Sequence, residues 1–180
     1  MQSSASPRVQ IEIRRLTEDD AHDFYRLRLE ALQREPQAFA ASPEEHRAMT
    51  VETIAKRLAA GSGERNFVLG AIADDRLVGM AGFFQDEGAK SRHKGRIWGV
   101  YVSEEWRGKG IARVLLSEII ERARAKPELE QLLLAVAAGQ DAAKHLYESL
   151  GFEVYGCEPR AIKVGDNYVA EDLMGLRLRG

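Results

Sequence analysis

Apolar positions change their spacing several times along the chain, and each change marks an element. Val9, Ile11 and Ile13 alternate with polar residues over 9–14, which predicts a strand. Thr17 followed by Glu18, Asp19 and Asp20 reads as a helix start, because threonine caps and an acidic first turn suits the positive end of the helix dipole. Phe24, Leu27, Leu29, Ala31 and Leu32 continue as a roughly helical stripe that Pro36 stops. Residues 37–49 are polar and read as irregular, and 51–60 read as a short second helix ended by Gly61, Ser62 and Gly63. Apolar runs at 66–73 and 76–84 flank Asp74 and Asp75 and predict a hairpin. A charged loop over 85–95 leads into a strand at 96–102. Residues 111–126 form a strongly amphipathic helix with Ile111, Val114, Leu115, Ile119 and Ala123 at helical spacing, and Pro127 lies beyond its end. A strand at 131–137 and a helix at 140–150 follow, the helix closed by Gly151 where a left-handed cap fits. Strands at 152–155 and 168–178, separated by Gly165, Asp166 and Asn167, complete the chain.

The predicted order is β-α-α-β-β-β-α-β-α-β-β. Hairpins mixed with crossover helices predict one α/β (α+β) domain over residues 9–180, on a twisted, mostly antiparallel mixed sheet of six to seven strands with about four helices. Residues 1–8 read as a disordered leader, without the basic and apolar regions of a signal peptide. No repeat, low-complexity tract or linker interrupts the rest.

Composition narrows the function classes. The chain has 180 residues, 26 basic against 28 acidic, and a formal net charge of −2, which argues against a nucleic-acid binder. No apolar run approaches the ~20 residues of a membrane span. Cys157 is the single cysteine, which excludes an internal disulfide and a zinc site of several thiolates and fits a reducing, cytoplasmic setting.

The stretch with most chemistry is 97–116. A strand runs through Ser103, Glu104, Glu105 and Trp106 into Arg107-Gly108-Lys109-Gly110-Ile111-Ala112, and the long helix follows directly. The first turn of a helix has N–H groups without intrahelical partners and a partial positive charge, and together these make an anion site. Glycines at 108 and 110 let a phosphate approach the backbone, and Arg107 and Lys109 add cationic charge. A plain strand-to-helix turn with solvated basic residues would read the same way. A Walker A loop and the three-glycine dinucleotide fingerprint are both absent.

Arg107-x-x-Gly110-x-Ala112 resembles the Arg/Gln-x-x-Gly-x-Gly/Ala loop of the GCN5-related N-acetyltransferase (GNAT) superfamily, which also follows a strand and opens a helix. Residues 143–153 resemble the family's later Asn-x-x-Ala-x-x-x-Tyr-x-x-x-Gly-Phe motif, with Tyr147, Gly151 and Phe152 in register. Gln140 stands where the family has asparagine. The resemblance extends over about residues 9–178. It implies a GNAT-like fold with a splay between the strands at 97–102 and 131–137. It also implies acetyl-CoA as donor, with its pyrophosphate on the main chain of 107–112 and its pantetheine arm in the splay. Gln140 would contact the pantetheine or a loop carbonyl, and a backbone N–H near Val100, Tyr101 and Val102 would polarise the thioester carbonyl. Tyr147 would be the general acid for the leaving thiolate; the alternative is a core tyrosine with a bonded hydroxyl. No metal is implied.

The family's strand glutamate has no counterpart in 96–101. Glu30 is a substitute base or simply a solvated helix carboxylate; His93 and His145 fit less well. The acceptor is expected to be a small-molecule or peptide amine, bound among the first helix, residues 36–49 and the last hairpin, where Arg28, Glu30, Phe39, Glu44, Glu45, Asp166, Glu171 and Asp172 lie. The activity implied is direct N-acetyl transfer. The alternatives are a non-catalytic acyl-CoA sensor on the same fold and a loop that holds another phosphate ligand. A homodimer is compatible with the resemblance.

Overall fold

The computed structural model describes residues 10–61 and 63–179, so the expected leader lies outside it. Strand β1 (Glu12–Arg15) is followed by a 3-10 turn and helix α1 (Ala21–Arg34). Helices α2 (Pro43–Arg47) and α3 (Val51–Ala60) precede the hairpin of β2 (Asn66–Ala73) and β3 (Arg76–Gln85). Then come β4 (Lys94–Val102), α4 (Ile111–Arg124), β5 (Gln131–Ala137), α5 (Asp141–Ser149), β6 (Glu153–Val164) and β7 (Asn167–Arg177). The seven strands form one sheet in the order β1-β2-β3-β4-β5-β7-β6, antiparallel except for β4 beside β5.

Two elements depart from expectation. Residues 37–49 are not wholly irregular, because α2 lies inside them. Its start is a reciprocal cap: the Ser42 hydroxyl accepts from the Glu45 N–H at 3.1 Å, and the Glu45 carboxylate accepts from the Ser42 N–H at 2.8 Å. Strand β6 runs on to Val164, well past residue 155, with pairing breaks against β7 that absorb extra residues. Elsewhere the chemistry follows the sequence. Asp74 and Asp75 take positive φ of 49° and 57°, as both central residues of the tightest hairpin turn require.

The sheet is covered on both sides, which is why β2 and β3 read as unbroken apolar runs rather than alternations. Phe67, Leu69 and Phe83 pack with Ile111, Leu115 and Ile119 of α4 and with Tyr147 and Phe152. Val68, Leu77 and Met80 pack on the opposite face with Phe24, Leu27 and Ala31 of α1 and Ile54 and Leu58 of α3. Burying each such side chain contributes about 1.5–3 kcal/mol.

The centre of the sheet opens. Strands β4 and β5 pair only over Lys94–Gln131, Gly95–Leu132 and Arg96–Leu133. Beyond that point β4 carries a bulge: Met80 faces Tyr101 and Gly82 faces Trp98, leaving two β4 residues opposite one on β3. Gly99 sits in that bulge at φ +63°. A left-handed glycine there bends the strand, and β4 turns away from β5. The splay expected between 97–102 and 131–137 is therefore present.

Candidate active site

The splay continues into a cavity of about 410 Å³, walled by β4, the loop 106–110, the start of α4, β5 and α5. One end is a helix N-terminus. Gly108 and Gly110 both hold positive φ (74° and 80°), and a Cβ on either would meet nothing within 4 Å, so the glycines serve conformation and approach rather than packing. Val114 makes the first helical bond, to the Gly110 carbonyl at 3.1 Å, so the N–H groups of Ile111, Ala112 and Arg113 precede the ladder. The middle is backbone: residues 97–102 of β4 and 134–137 of β5 face each other without pairing. The cavity can therefore hold an anion at one end and an extended, amide-bearing chain between the strands.

Tyr147 lines the other side of this cavity. Its ring is 7% exposed and packs edge-on against Phe152 at 6.1 Å, while its hydroxyl has no hydrogen-bond partner among the described residues. Burial pushes its pKa up to about 12, so the phenol keeps its proton at neutral pH. Its position follows from the end of α5, where Gly151 takes φ +93° and the Phe152 N–H bonds back to the Tyr147 carbonyl at 3.1 Å. Gln140 is the N-terminal cap residue of α5 and lines the cavity; its side-chain amide makes no bond within the described residues.

Val100, Tyr101, Val102, Arg107, Gly108, Gly110, Ile111 and Ala112 all line the same cavity. Lys109 does not. Its ammonium lies 4.3 Å from the centre of the Trp106 ring, in a shallow hollow with Asp74 and Glu105. Arg107 is also not a free cation. It donates through Nε to the Val102 carbonyl at 3.0 Å and through Nη2 to Glu35 at 2.5 Å. In this structure Arg107 braces the end of β4 and Lys109 covers a tryptophan, so the positive end of α4 is the charge that faces the cavity directly.

Glu30 does not line the cavity. It accepts from the Tyr101 hydroxyl at 3.0 Å, with Arg26 3.9 Å away. Burial first, then this bond, pushes the Tyr101 pKa up to about 12. His145 is exposed. Asp172 pairs with Lys144 at 2.6 Å, and the Glu171 carboxyl is raised by burial and by Glu158 opposite it on β6.

Residues 21–152 match the model of the acetyltransferase (GNAT) family. The chain belongs to that family. Among curated members it resembles the L-methionine sulfoximine/L-methionine sulfone acetyltransferases of Pseudomonas paraeruginosa and Pseudomonas aeruginosa. It is 43% identical to each over 61 residues, 34% of this chain and 35% of theirs. The match thus spans about a third of those relatives. Among solved GNAT structures, an acetyltransferase of Streptococcus pneumoniae superposes with a TM-score of 0.83 at 25% identity, covering 93% of this chain and 99% of that one. The yncA protein of Salmonella typhimurium, solved with its cofactor acetyl-CoA, gives 0.82 at 22% identity, covering 95% of each. The GNAT fold extends over nearly the whole chain.

Sequence reasoning missed three residues that shape the site. Gly99 bends β4; its signal was an isolated glycine inside a strand pattern. Trp98 lines this cavity and also a second one of about 710 Å³ among α1, α2, α3 and β2. Gly82 makes room for Trp98, since a Cβ there would lie 2.1 Å from the indole. No local pattern announces that pairing, because the two residues meet across strands.

Proposed function

We propose that the protein is an acetyl-CoA-dependent N-acetyltransferase that acts by direct transfer to a primary amine of a small molecule or peptide. The observation that carries the proposal is the Tyr147 phenol, protonated and without a hydrogen-bond partner among the described residues, on the wall of a cavity that begins at the α4 N-terminus. The residues present fit the donor. The N–H groups at 108–112 suit its pyrophosphate, the unpaired edges of β4 and β5 suit its pantetheine amides, and Gln140 is free to bond either the arm or the loop. Bound acetyl-CoA supplies an acetyl thioester, whose C–S bond is exchanged for a C–N bond as the amine loses a proton and the thiolate gains one.

This chain's residues do the rest. A main-chain N–H of Val100, Tyr101 or Val102 polarises the carbonyl, and the Tyr147 hydroxyl delivers the proton to sulfur. Glu35 is the carboxylate among the lining residues and is held by Arg107, so the amine enters as its neutral form rather than relying on a side-chain base.

The test is thiol release from acetyl-CoA with a panel of amines, amino acids and peptides. An acceptor-dependent rate above hydrolysis is expected. Tight coenzyme binding with no rate for any acceptor would contradict transfer and favour a sensor.

A further inference from the structure

The second cavity lies behind Trp98, and its lining is mostly apolar: Phe24, Leu32, Ile54, Leu58, Phe67 and Val68 contribute. Arg28 of α1 enters this surface. Its guanidinium is largely withdrawn from water and is stacked between Phe39 at 4.8 Å and Trp98 at 5.8 Å. It makes no hydrogen bond or ion pair with any described residue, and its Nη1 is fully sealed without a partner. Burial alone lowers its pKa, to about 10, and no carboxylate offsets that. The other charged groups of the cavity do not supply an anion. Glu45 is exposed and its carboxylate caps α2. Arg57 is a second cation, exposed and turned to the Met49 sulfur at 2.9 Å. His46 is 3% exposed and held toward its neutral form by burial.

A desolvated guanidinium with five donors and no anion is costly, and an anion received from solution would offset that cost. The missing partner is an anion that arrives from outside. Its place relative to the chemistry is fixed by Gly99. The Arg28 Nη1 lies 3.3 Å from where a Gly99 Cβ would be, and Gly99, Phe39 and the next residue, Val100, all line the first cavity. An acid group on Arg28 is therefore within one residue's length of the splay. A ligand with an amine and a carboxylate on the same carbon spans that gap and leaves its side chain for the apolar cavity.

We propose that the amine acceptor is an α-amino acid with a large apolar side chain, its carboxylate received by Arg28 and its side chain by the second cavity. This rests on the acyl-transfer reading above and names the acceptor class. Arg28 is then a specificity residue that touches substrate, and Phe39 and Trp98 are the faces that hold its guanidinium flat.

The test uses the full chain with acetyl-CoA and three amines: L-phenylalanine, L-phenylalaninamide and 2-phenylethylamine. A fourth probe, 3-phenylpropionate, has the ring and carboxylate without an amine; its binding to the coenzyme A-saturated protein is read by calorimetry. Wild type should use L-phenylalanine at least tenfold better, in kcat/KM, than either neutral-ended amine. Arg28→Gln should erase that preference by lowering kcat/KM for L-phenylalanine alone, and Arg28→Lys should restore part of it. Coenzyme affinity should stay unchanged, and the Tm of Arg28→Gln should not fall, because a buried unpaired charge has been removed. A structural arginine would behave in the opposite way. Equal use of the three amines by wild type, or an equal loss for all three in Arg28→Gln, overturns the assignment with acyl transfer intact. If no amine is acetylated although coenzyme binds, the transferase reading fails and 3-phenylpropionate decides the site. Binding that is lost in Arg28→Gln upholds an acid receptor at Arg28; absent or unchanged binding removes it.

Discussion

The two cavities that meet at Trp98 are built by different means. The first is walled by main chain: glycines at positive φ, a helix N-terminus and two strands whose pairing stops at Arg96 and Leu133. The second is walled by side chains, with Arg28, Phe67 and Trp98 drawn from three separate elements. Main-chain recognition demands particular residue types at particular spacings, so it leaves a motif. Side-chain recognition demands only that suitable groups converge, so it leaves none. One molecule thus shows why the donor of a transferase is easier to read than its acceptor.

The largest effect should come from the side chain in the first cavity that acts through a single atom. Tyr147→Phe keeps the ring against Phe152 and removes only the hydroxyl. We expect kcat to fall on the order of 10²-fold, about 2.7 kcal/mol, with coenzyme affinity within twofold. Steady-state rates and calorimetry on the same preparation measure both. An unchanged kcat would leave the first cavity with binding alone.

Gly110→Asp tests the backbone cradle. Aspartate tolerates a left-handed φ and is a favoured helix cap, so the fold should survive with a Tm change of a few degrees. Its carboxylate would stand at the anion end of the cavity. A loss of coenzyme A affinity of roughly 30-fold, about 2 kcal/mol, is expected by calorimetry. The contrast with Arg28→Gln is the point: one variant should injure donor binding alone, the other acceptor use alone.

Gly82→Ala probes the shared wall. A methyl 2.1 Å from the Trp98 indole forces the ring to move, with an expected cost of about 1–3 kcal/mol in urea unfolding. Because Trp98 borders both cavities, KM for acceptor and for acetyl-CoA should rise together. A rise in only one would show that the cavities are less coupled than their common wall implies.

Most of the fold could be read from the chain. The apolar runs, the Asp74-Asp75 turn and the Gly151 cap are local signals, and each element they define is present within a few residues. Helix α2 was missed although Ser42-x-x-Glu45 is a capping signature, because Pro43 and a polar run obscured it. The length of β6 was missed because its exposed positions carry no alternation to detect. Of the cavity lining, Arg107, Gly108, Gly110, Ile111, Ala112 and Tyr147 were legible, because the loop opens α4 and Tyr147 lies within α5. Arg28 and Phe39 were legible only as members of the acceptor region; their stack with Trp98 was not, since it joins positions up to seventy residues apart through tertiary contact.

Alkaline pH should reveal the burial of both cavity tyrosines. Tyr147 and Tyr101 are each pushed up to about 12, against an ordinary value near 10 in the unfolded chain. Between these values the unfolded chain releases protons that the folded chain keeps, so stability falls as pH rises through 10 to 12 and is unaffected below that window. Urea midpoints at pH 9, 10 and 11 should decline, and Tyr147→Phe should decline less steeply.

The smallest effect is expected where a cation seemed most natural. Lys109 sits between two glycines at the mouth of an anion site, yet its ammonium lies over Trp106, outside the residues that line the first cavity. If the cradle is main chain, Lys109→Ala should change coenzyme A affinity by no more than about twofold, near 0.4 kcal/mol. The dependence of that affinity on salt should also keep its slope, because no ion pair to the ligand is lost. A large loss would mean that Lys109 swings from the tryptophan onto the coenzyme, and that the first cavity, like the second, recognises its ligand through a side-chain charge.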